Sequence, residues 1–298
     1  MKIRPATEAD AEAIADVCNA LSRALYGDPD VSVEEIKRWM AMPDLEMFVG
    51  EEDGRVVAYL DLRAEEGGEV SADVRVHPDA WGRRLADALL EYSEEWARAK
   101  RGAGTRVRAF PAEPEAELRE AAERRGYQSI RHFFTMQVDF DAAPVVRWPD
   151  GFTVRSFEAA DEARVYEAQM ESFADHWDHH RVPFETWRTW TIGRNDFDPS
   201  LWLLAEDGDE IAGISLNSWH RSGDPQFGWL NVLGVRSPWR RRGLGDALLR
   251  GTFAMWAERG AKKVGLGVDT ENPTGALRLY ERAGMRPVRR QDLYEKRA

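Results

Sequence analysis

The chain is predicted to fold as two tandem α+β domains, each built on a mixed sheet. Three sequence observations carry this prediction. The segment I-R-P-A-T-E-A-D-A-E-A-I-A at 3–15 reads as a short strand followed by a helix with an acidic start. V-R-S-F-E-A-A-D-E-A-R-V-Y at 154–166 repeats that design, with Arg155 lying 151 residues after Arg4. The hairpin pattern E-E-D-G-R-V-V-A-Y at 51–59 has its counterpart in A-E-D-G-D-E-I-A-G at 205–213, Gly208 following Gly54 by 154 residues. V-H-P at 76–78 matches V-R-S-P at 235–238, and R-R-G-Y at 124–127 matches E-R-A-G-M at 281–285. The separation drifts slowly, as loop insertions would make it, so the chain is a tandem duplication.

Within the first copy, Ser32 and Glu35 form a capping box for a helix running through Trp39. Leu85, Leu89, Tyr92 and Trp96 make one apolar helical face that ends near Gly102. A strand near 105–110, a helix near 115–125 and the alternating run H-F-F-T-M-Q-V-D-F at 132–140 complete it. The stretch 141–151, with Pro144 and Pro149, reads as a linker, which places the domains at 1–143 and 150–298.

The chemistry concentrates in 228–250, G-W-L-N-V-L-G-V-R-S-P-W-R-R-R-G-L-G-D-A-L-L-R. Leu230 to Val235 suits a buried strand, Pro238 ends its ladder, and Leu244, Leu248 and Met255 recur at helical spacing. A strand, a basic glycine turn and a helix N-terminus make an anion site. The amides of the turn and of Leu244, Gly245 and Asp246 lack intrahelical acceptors, and the helix dipole adds positive potential. Gly243 and Gly245 allow close backbone approach, and Arg240, Arg241 and Arg242 supply mobile charge. Further on, N-P-T-G-A-L-R-L-Y-E-R-A-G-M runs from Asn272 to Met285.

Together these stretches resemble the two acyl-CoA signatures of the GNAT superfamily of N-acetyltransferases. They match the R/Q-x-x-G-x-G/A pyrophosphate loop and the later N-x-x-x-A-x-x-L-Y-x-x-x-G-F/M segment. The resemblance implies tandem GNAT-like domains, each a mixed, mostly antiparallel sheet flanked by helices. It also implies acetyl-CoA as acyl donor, direct transfer of acetyl to a primary amine of a small molecule, and no metal. By the same resemblance, backbone amides at Leu233, Gly234 and Val235 occupy the oxyanion position. Asn272 contacts the cofactor arm, and Tyr280 protonates the departing thiolate. Each position also has a structural reading: Gly234 can relieve packing, an Asn-Pro pair can start a helix, and Tyr280 can close one.

The general base is open. The strand entering the loop offers Trp229 and Asn231 where some members of the family carry a glutamate. Asp175, His176, His179 and His180 are candidates in S-F-A-D-H-W-D-H-H-R. His176 and His180 stand at i,i+4, but the intervening residues lack the glutamate of a zinc-protease helix, so a polar acceptor wall or a solvated surface is the reading taken. Nine of the 12 tryptophans lie from Trp148 onward; core packing accounts for most, and any that line the acceptor cleft would favour an apolar or cationic acceptor.

The first copy is expected to be silent. Trp81 replaces the first basic position, Arg84 stands where Gly243 stands, and Pro114 and Ala122 take the places of Asn272 and Tyr280. A non-catalytic acyl-CoA sensor is the competing reading for the whole chain. A net charge of −12 argues against nucleic-acid binding. The start of the chain lacks a signal peptide's apolar stretch, and no apolar run long enough to span a membrane occurs. The single cysteine, Cys18, fits a packed residue in a cytoplasmic protein, monomeric or homodimeric.

Overall fold

The computed structural model describes residues 1–177, 179–194, 196–272 and 274–298. The chain forms two compact units. The first comprises Met1–Phe133, Arg221–Gly223 and Arg289–Ala298; the second comprises Phe134–His220 and Asp224–Val288.

In the first unit, β1 (Lys2–Pro5), β2 (Leu45–Glu52), β3 (Arg55–Ala64) and β4 (Val70–Val76) run antiparallel in chain order. β5 (Arg106–Ala109) lies parallel to β4, and the last residues of β12 (Arg286–Arg297) pair antiparallel with β5, Tyr294 opposite Ala109. The first half of β6 (Gln128–Asp139) follows β12 in this sheet. The helices are α1 (Ala11–Tyr26), α2 (Val33–Met40), α3 (Leu85–Arg101) and α4 (Ala116–Arg124). Leu85, Leu89 and Leu90 of α3 join Leu60, Leu62, Val74 and Tyr294 in one apolar core. Cys18 is fully buried on α1 in a second cluster.

The second unit repeats the plan. Its strands are β7 (Thr153–Ser156), β8 (Leu203–Asp207), β9 (Glu210–Trp219), β10 (Phe227–Val235) and β11 (Lys263–Asp269). The order from the edge is β7-β8-β9-β10-β11, then the second half of β6, and only β10 and β11 among the registered pairs run parallel. Its helices are α5 (Glu162–Ser172), α6 (Phe184–Trp190), α7 (Leu244–Glu258) and α8 (Ala276–Arg282). Most of the tryptophans pack this core. Trp256 is fully buried, and a Cβ on Gly228 would meet its ring at 2.3 Å, so that glycine makes room for the indole.

The repeat extends to single hydrogen bonds. Arg4 forks onto Asp10 (2.9 and 2.8 Å) and reaches Glu51 (3.0 Å); Arg155 forks onto Asp161 (2.6 and 2.8 Å) and reaches Glu206 (3.0 and 2.7 Å). Asp10 also accepts the Thr7 N–H and Asp161 the Glu158 N–H, which secures the entry into each first helix. These bidentate charge-assisted pairs hold the edge strand, helix start and hairpin together.

Two expectations are adjusted. Ser32 does cap α2, taking the Glu35 N–H at 3.2 Å, but the Glu35 carboxylate turns to Arg38 and Trp39 rather than back to the cap. The boundaries 1–143 and 150–298 follow the chain, whereas the compact units follow contacts. Residues 289–298 count with the first unit because Leu293 and Tyr294 are buried there on β12. Among the described residues no helix is long and apolar enough to cross a membrane.

Glu115 gives the first unit a measurable pH response. It is buried at the start of α4, takes the Ala112 N–H at 3.2 Å, and burial pushes its carboxyl up to about 8. Between an ordinary pKa of 4.5 and about 8 the folded chain then holds a proton that the unfolded chain releases, so raising the pH through that window lowers stability. Glu115→Gln should shrink the loss in urea midpoint between pH 5 and pH 8 relative to the parent. An equal or larger loss in the variant would contradict this.

Candidate active site

β10 pairs with β11 only from Phe227 opposite Lys263 to Leu230 opposite Leu266. Its register with β9 shifts between Leu230 and Val232, leaving Asn231 as the extra residue of a bulge. The strand therefore leaves its parallel neighbour at its midpoint, and the gap opens toward the glycine turn. Leu233, Gly234 and Val235 lie on this departing half. A Cβ on Gly234 would stand 2.8 Å from Cβ of Ser172 at the end of α5, which accounts for the glycine by packing alone. The irregular backbone lies a few residues earlier than sequence reasoning placed it.

Past Val235 a short 3-10 turn, Ser237–Trp239, leads into the basic turn. Arg241 (φ 63°) and Gly243 (φ 82°) are left-handed, and Gly243 caps α7. This alternation of backbone conformations points successive N–H groups to one side. The N–H groups of residues 241–246 donate to no acceptor among the described residues. The three arginines divide. Arg240 is held inside the protein, on the Val235 carbonyl (3.1 Å), the Ser172 carbonyl (3.1 Å) and Asp175 (2.9 Å). Its expected role as mobile charge is therefore not what its contacts give it. Arg242 lies over the Phe152 ring and pairs with Asp207 at 3.3 Å, while the side chain of Arg241 is exposed. Asp246, on the first turn of α7, pairs with Arg250.

Asn272 and His176 meet beside this turn. The Asn272 Oδ1 accepts both the N–H (2.9 Å) and the hydroxyl (2.7 Å) of Thr274, which fixes the amide so that Nδ2 faces His176 Nε2 at 3.4 Å. With the ring proton on Nδ1, Nε2 presents its lone pair to this amide. The helix-start reading of Asn272 rests on Pro273, which lies outside the described residues. Asp175 is taken by Arg240, and His176 packs on Phe173 with ring centroids 4.5 Å apart. The His179 N–H donates to the His176 carbonyl at 3.2 Å, and His180 is exposed. Tyr280 on α8 is buried, its hydroxyl makes no hydrogen bond among the described residues, and burial pushes its pKa up to about 12.

The corresponding turn of the first unit has the same backbone and the opposite outcome. Gly82 (φ 77°) and Arg84 (φ 59°) are left-handed, and Arg84 caps α3 as Gly243 caps α7. An L-residue in this conformation carries a cost of order 1 kcal/mol. The Gly82 N–H donates to the Glu117 carboxylate at 3.0 Å, and Arg84 is drawn to Asp87 at 3.0 Å. A carboxylate of the protein thus takes the Gly82 amide, and the Arg83 N–H goes to the Ala80 carbonyl at 3.4 Å. Ala122 is fully buried at the position of Tyr280. Sequence reasoning found the loss of the glycine but not Glu117, whose approach depends on how α4 packs.

The strand thus splays from its parallel neighbour and ends in a left-handed glycine turn with outward amides, on a fold that defines an acyltransferase. The chain belongs to the GNAT family of acetyltransferases, whose model matches residues 14–127 and 162–285, and it is an N-acetyltransferase. It is similar to the mycothiol acetyltransferase of Geodermatophilus obscurus, at 31% identity over 245 residues, 78% of this chain and 76% of the relative. The enzyme of that name from Stackebrandtia nassauensis is 30% identical over 258 residues, 82% of this chain and 80% of the relative. A GCN5-related N-acetyltransferase structure from Sphaerobacter thermophilus superposes with TM-score 0.82 at 34% identity, covering 99% of this chain and 95% of that one. A tandem GNAT protein of the clavulanic acid biosynthesis pathway, at 18% identity, shares the fold with TM-score 0.77 over 99% of this chain and 98% of that one.

His176 is lowered from the ordinary 6.5 chiefly by burial, with Asp269 opposing and His179 and Arg240 reinforcing. Its resonances in a proton NMR titration should show a midpoint below 6.5. A midpoint at or above that value would contradict burial as the controlling influence on this ring.

Proposed function

We propose that this enzyme moves the acetyl group of acetyl-CoA directly to a primary amine of a small molecule. In this reading the domain 150–298 does the chemistry and the domain 1–143 is catalytically silent. The observation that carries the reading is the contrast between the two turns. The amides of residues 241–246 have no acceptor among the described residues, whereas in the equivalent turn of the first unit the Gly82 N–H is taken by Glu117 and the Arg83 N–H by the Ala80 carbonyl.

The cradle fits a pyrophosphate. Gly243 needs its left-handed backbone, but Gly245 does not: it has ordinary φ, and a Cβ there would meet nothing nearer than Leu279 at 3.6 Å. Protein packing leaves no reason for a glycine at 245, while close approach of a ligand backbone does. Amides 241–246 would hold the phosphates with Arg241 and Arg242 beside them, and Asn272 Nδ2 would face the pantetheine arm. Acetyl-CoA supplies the thioester carbonyl. The protein's part is to present amides of the departing strand at Leu233–Val235 to the developing oxyanion. As the N–C bond forms and the C–S bond breaks, the Tyr280 phenol gives its proton to the thiolate. The proton shed by the amine leaves to solvent, from which the phenol is restored. With its pKa raised to about 12, Tyr280 stays protonated across the working range and ready to donate. Cys18, fully buried in the other unit with its thiol pushed up to about 12, has no place as a nucleophile and fits a reducing, cytoplasmic setting.

Gly243→Val forces a β-branched side chain into the left-handed cap and should raise the acetyl-CoA dissociation constant at least tenfold, about 1.4 kcal/mol. Calorimetry on the parent should give one tight acetyl-CoA site per chain, absent in the variant. Two equivalent sites, or an unchanged constant in a folded variant, would remove this placement.

Tyr280→Phe should leave acetyl-CoA affinity intact and lower kcat by about 10²–10⁴-fold, the usual worth of a positioned proton donor. The parent's alkaline limb should show no loss from phenol ionisation below pH 10. A variant as fast as the parent in single-turnover assays would assign thiolate protonation elsewhere.

A further inference from the structure

The second unit contains a cavity of about 120 Å³ that the mechanism above does not use. It is bounded by the end of α6, the segment that leads from α6 to β8, and the strands β9 and β10. Its inner wall includes Asn231 and Val232, the two residues at the bulge where β10 leaves β11. It therefore abuts the point at which the acyl carbonyl must meet the acceptor.

Three features fix what could occupy it. The first is size. An engineered apolar cavity of about 150 Å³ takes a benzene ring, so this one suits a single ring or a short branched alkyl group rather than a chain of sugars. The second is surface. Trp190, Phe197 and Trp202 supply aromatic walls, Phe197 meeting Trp202 edge-on at 4.9 Å, with Leu216 and Val232 completing the apolar lining. The third is charge. Arg194 is bound in a fork to Asp196 at 3.0 and 3.0 Å, and Asp198 adds a second carboxylate anchored by the N–H and hydroxyl of Ser200. The formal charge of the lining is thus negative. Aromatic faces and a net carboxylate favour a cation and oppose an anion.

We infer that this cavity is the acceptor pocket and that it selects a compact arylalkyl or branched alkyl amine bearing no carboxylate, which arrives as its ammonium ion and loses one proton to solvent before the neutral amine attacks the acyl carbon. This rests on the acetyl-transfer reading of the same domain. The aromatic walls take the apolar body, the carboxylates set the sign of the potential, and Asn231 marks the side on which the amine meets the acyl group.

The test uses the full chain and three probes: phenethylamine, phenylalanine and glucosamine. Binding is followed by calorimetry, and transfer by release of free thiol from acetyl-CoA. Phenethylamine should bind at least tenfold more tightly than either comparison and show at least a tenfold higher kcat/KM. Thr191→Trp, which fills the cavity from its rim, should weaken phenethylamine binding at least tenfold and leave acetyl-CoA affinity unchanged. Ser218→Phe fills it from β9 and serves if the first variant does not fold. Phenethylamine binding that neither substitution disturbs, equal or tighter binding of phenylalanine or glucosamine, or no binding of phenethylamine would each overturn the pocket. Binding that the substitutions abolish, without thiol release from any of the three, would uphold the pocket and count against the transfer reading instead.

Discussion

The parting of β10 from β11 after Leu230 is the constraint on which the site proposed in the second unit depends. A parallel pair saturates its backbone groups in one another, and a strand so paired has no amides to offer a substrate. By inserting Asn231 against β9, the chain changes the direction of β10 without breaking its antiparallel ladder, so the sheet stays intact on one side while a gap opens on the other. Everything assigned to the site lies along that gap. Asn231 and Val232 stand at its closed end, the turn before α7 at its open end, and Asn272 follows the strand that was left behind. The segment after α5 ties the rim together, Asp175 and the Ser172 carbonyl to Arg240 and His176 to Asn272.

The two copies show how little distinguishes an anion site from its absence. Both turns keep left-handed residues at corresponding places, and both open a helix whose first amides lack intrahelical partners. In the first unit Arg84 accepts the backbone cost that Gly243 avoids, and Glu117 supplies the negative charge that the nest attracts. The architecture survives because the turn is needed to bring the helix back onto the sheet. Arg75 on β4 is paired with Asp73 at 2.8 Å and with Asp30 at 3.4 Å, an ionic network on the strand that leads into the first unit's turn.

What the sequence determined by itself was what local backbone chemistry dictates. The tandem repeat was legible because the same Arg and Asp, six residues apart, must be present wherever an edge strand is clipped to a first helix, as Arg4–Asp10 and Arg155–Asp161 are. The glycine turn was legible because only a short list of residues enters a left-handed helix cap cheaply. Burial of Cys18 followed from its helical context. Only the tertiary structure decided the rest, because each case turns on which distant groups arrive at one place. Arg240 reads as a free cation until the end of α5 delivers two acceptors to it. Gly234 reads as an irregular strand until Ser172 packs against it. Glu117 is one of several acidic residues until α4 sets its carboxylate 3.0 Å from the Gly82 amide. The C-terminal strand looks like the close of the second copy, yet its apolar residues are buried in the first unit. Side-chain destinations of this kind depend on contacts across the sheet and between helices, and these leave no periodic signal in the chain.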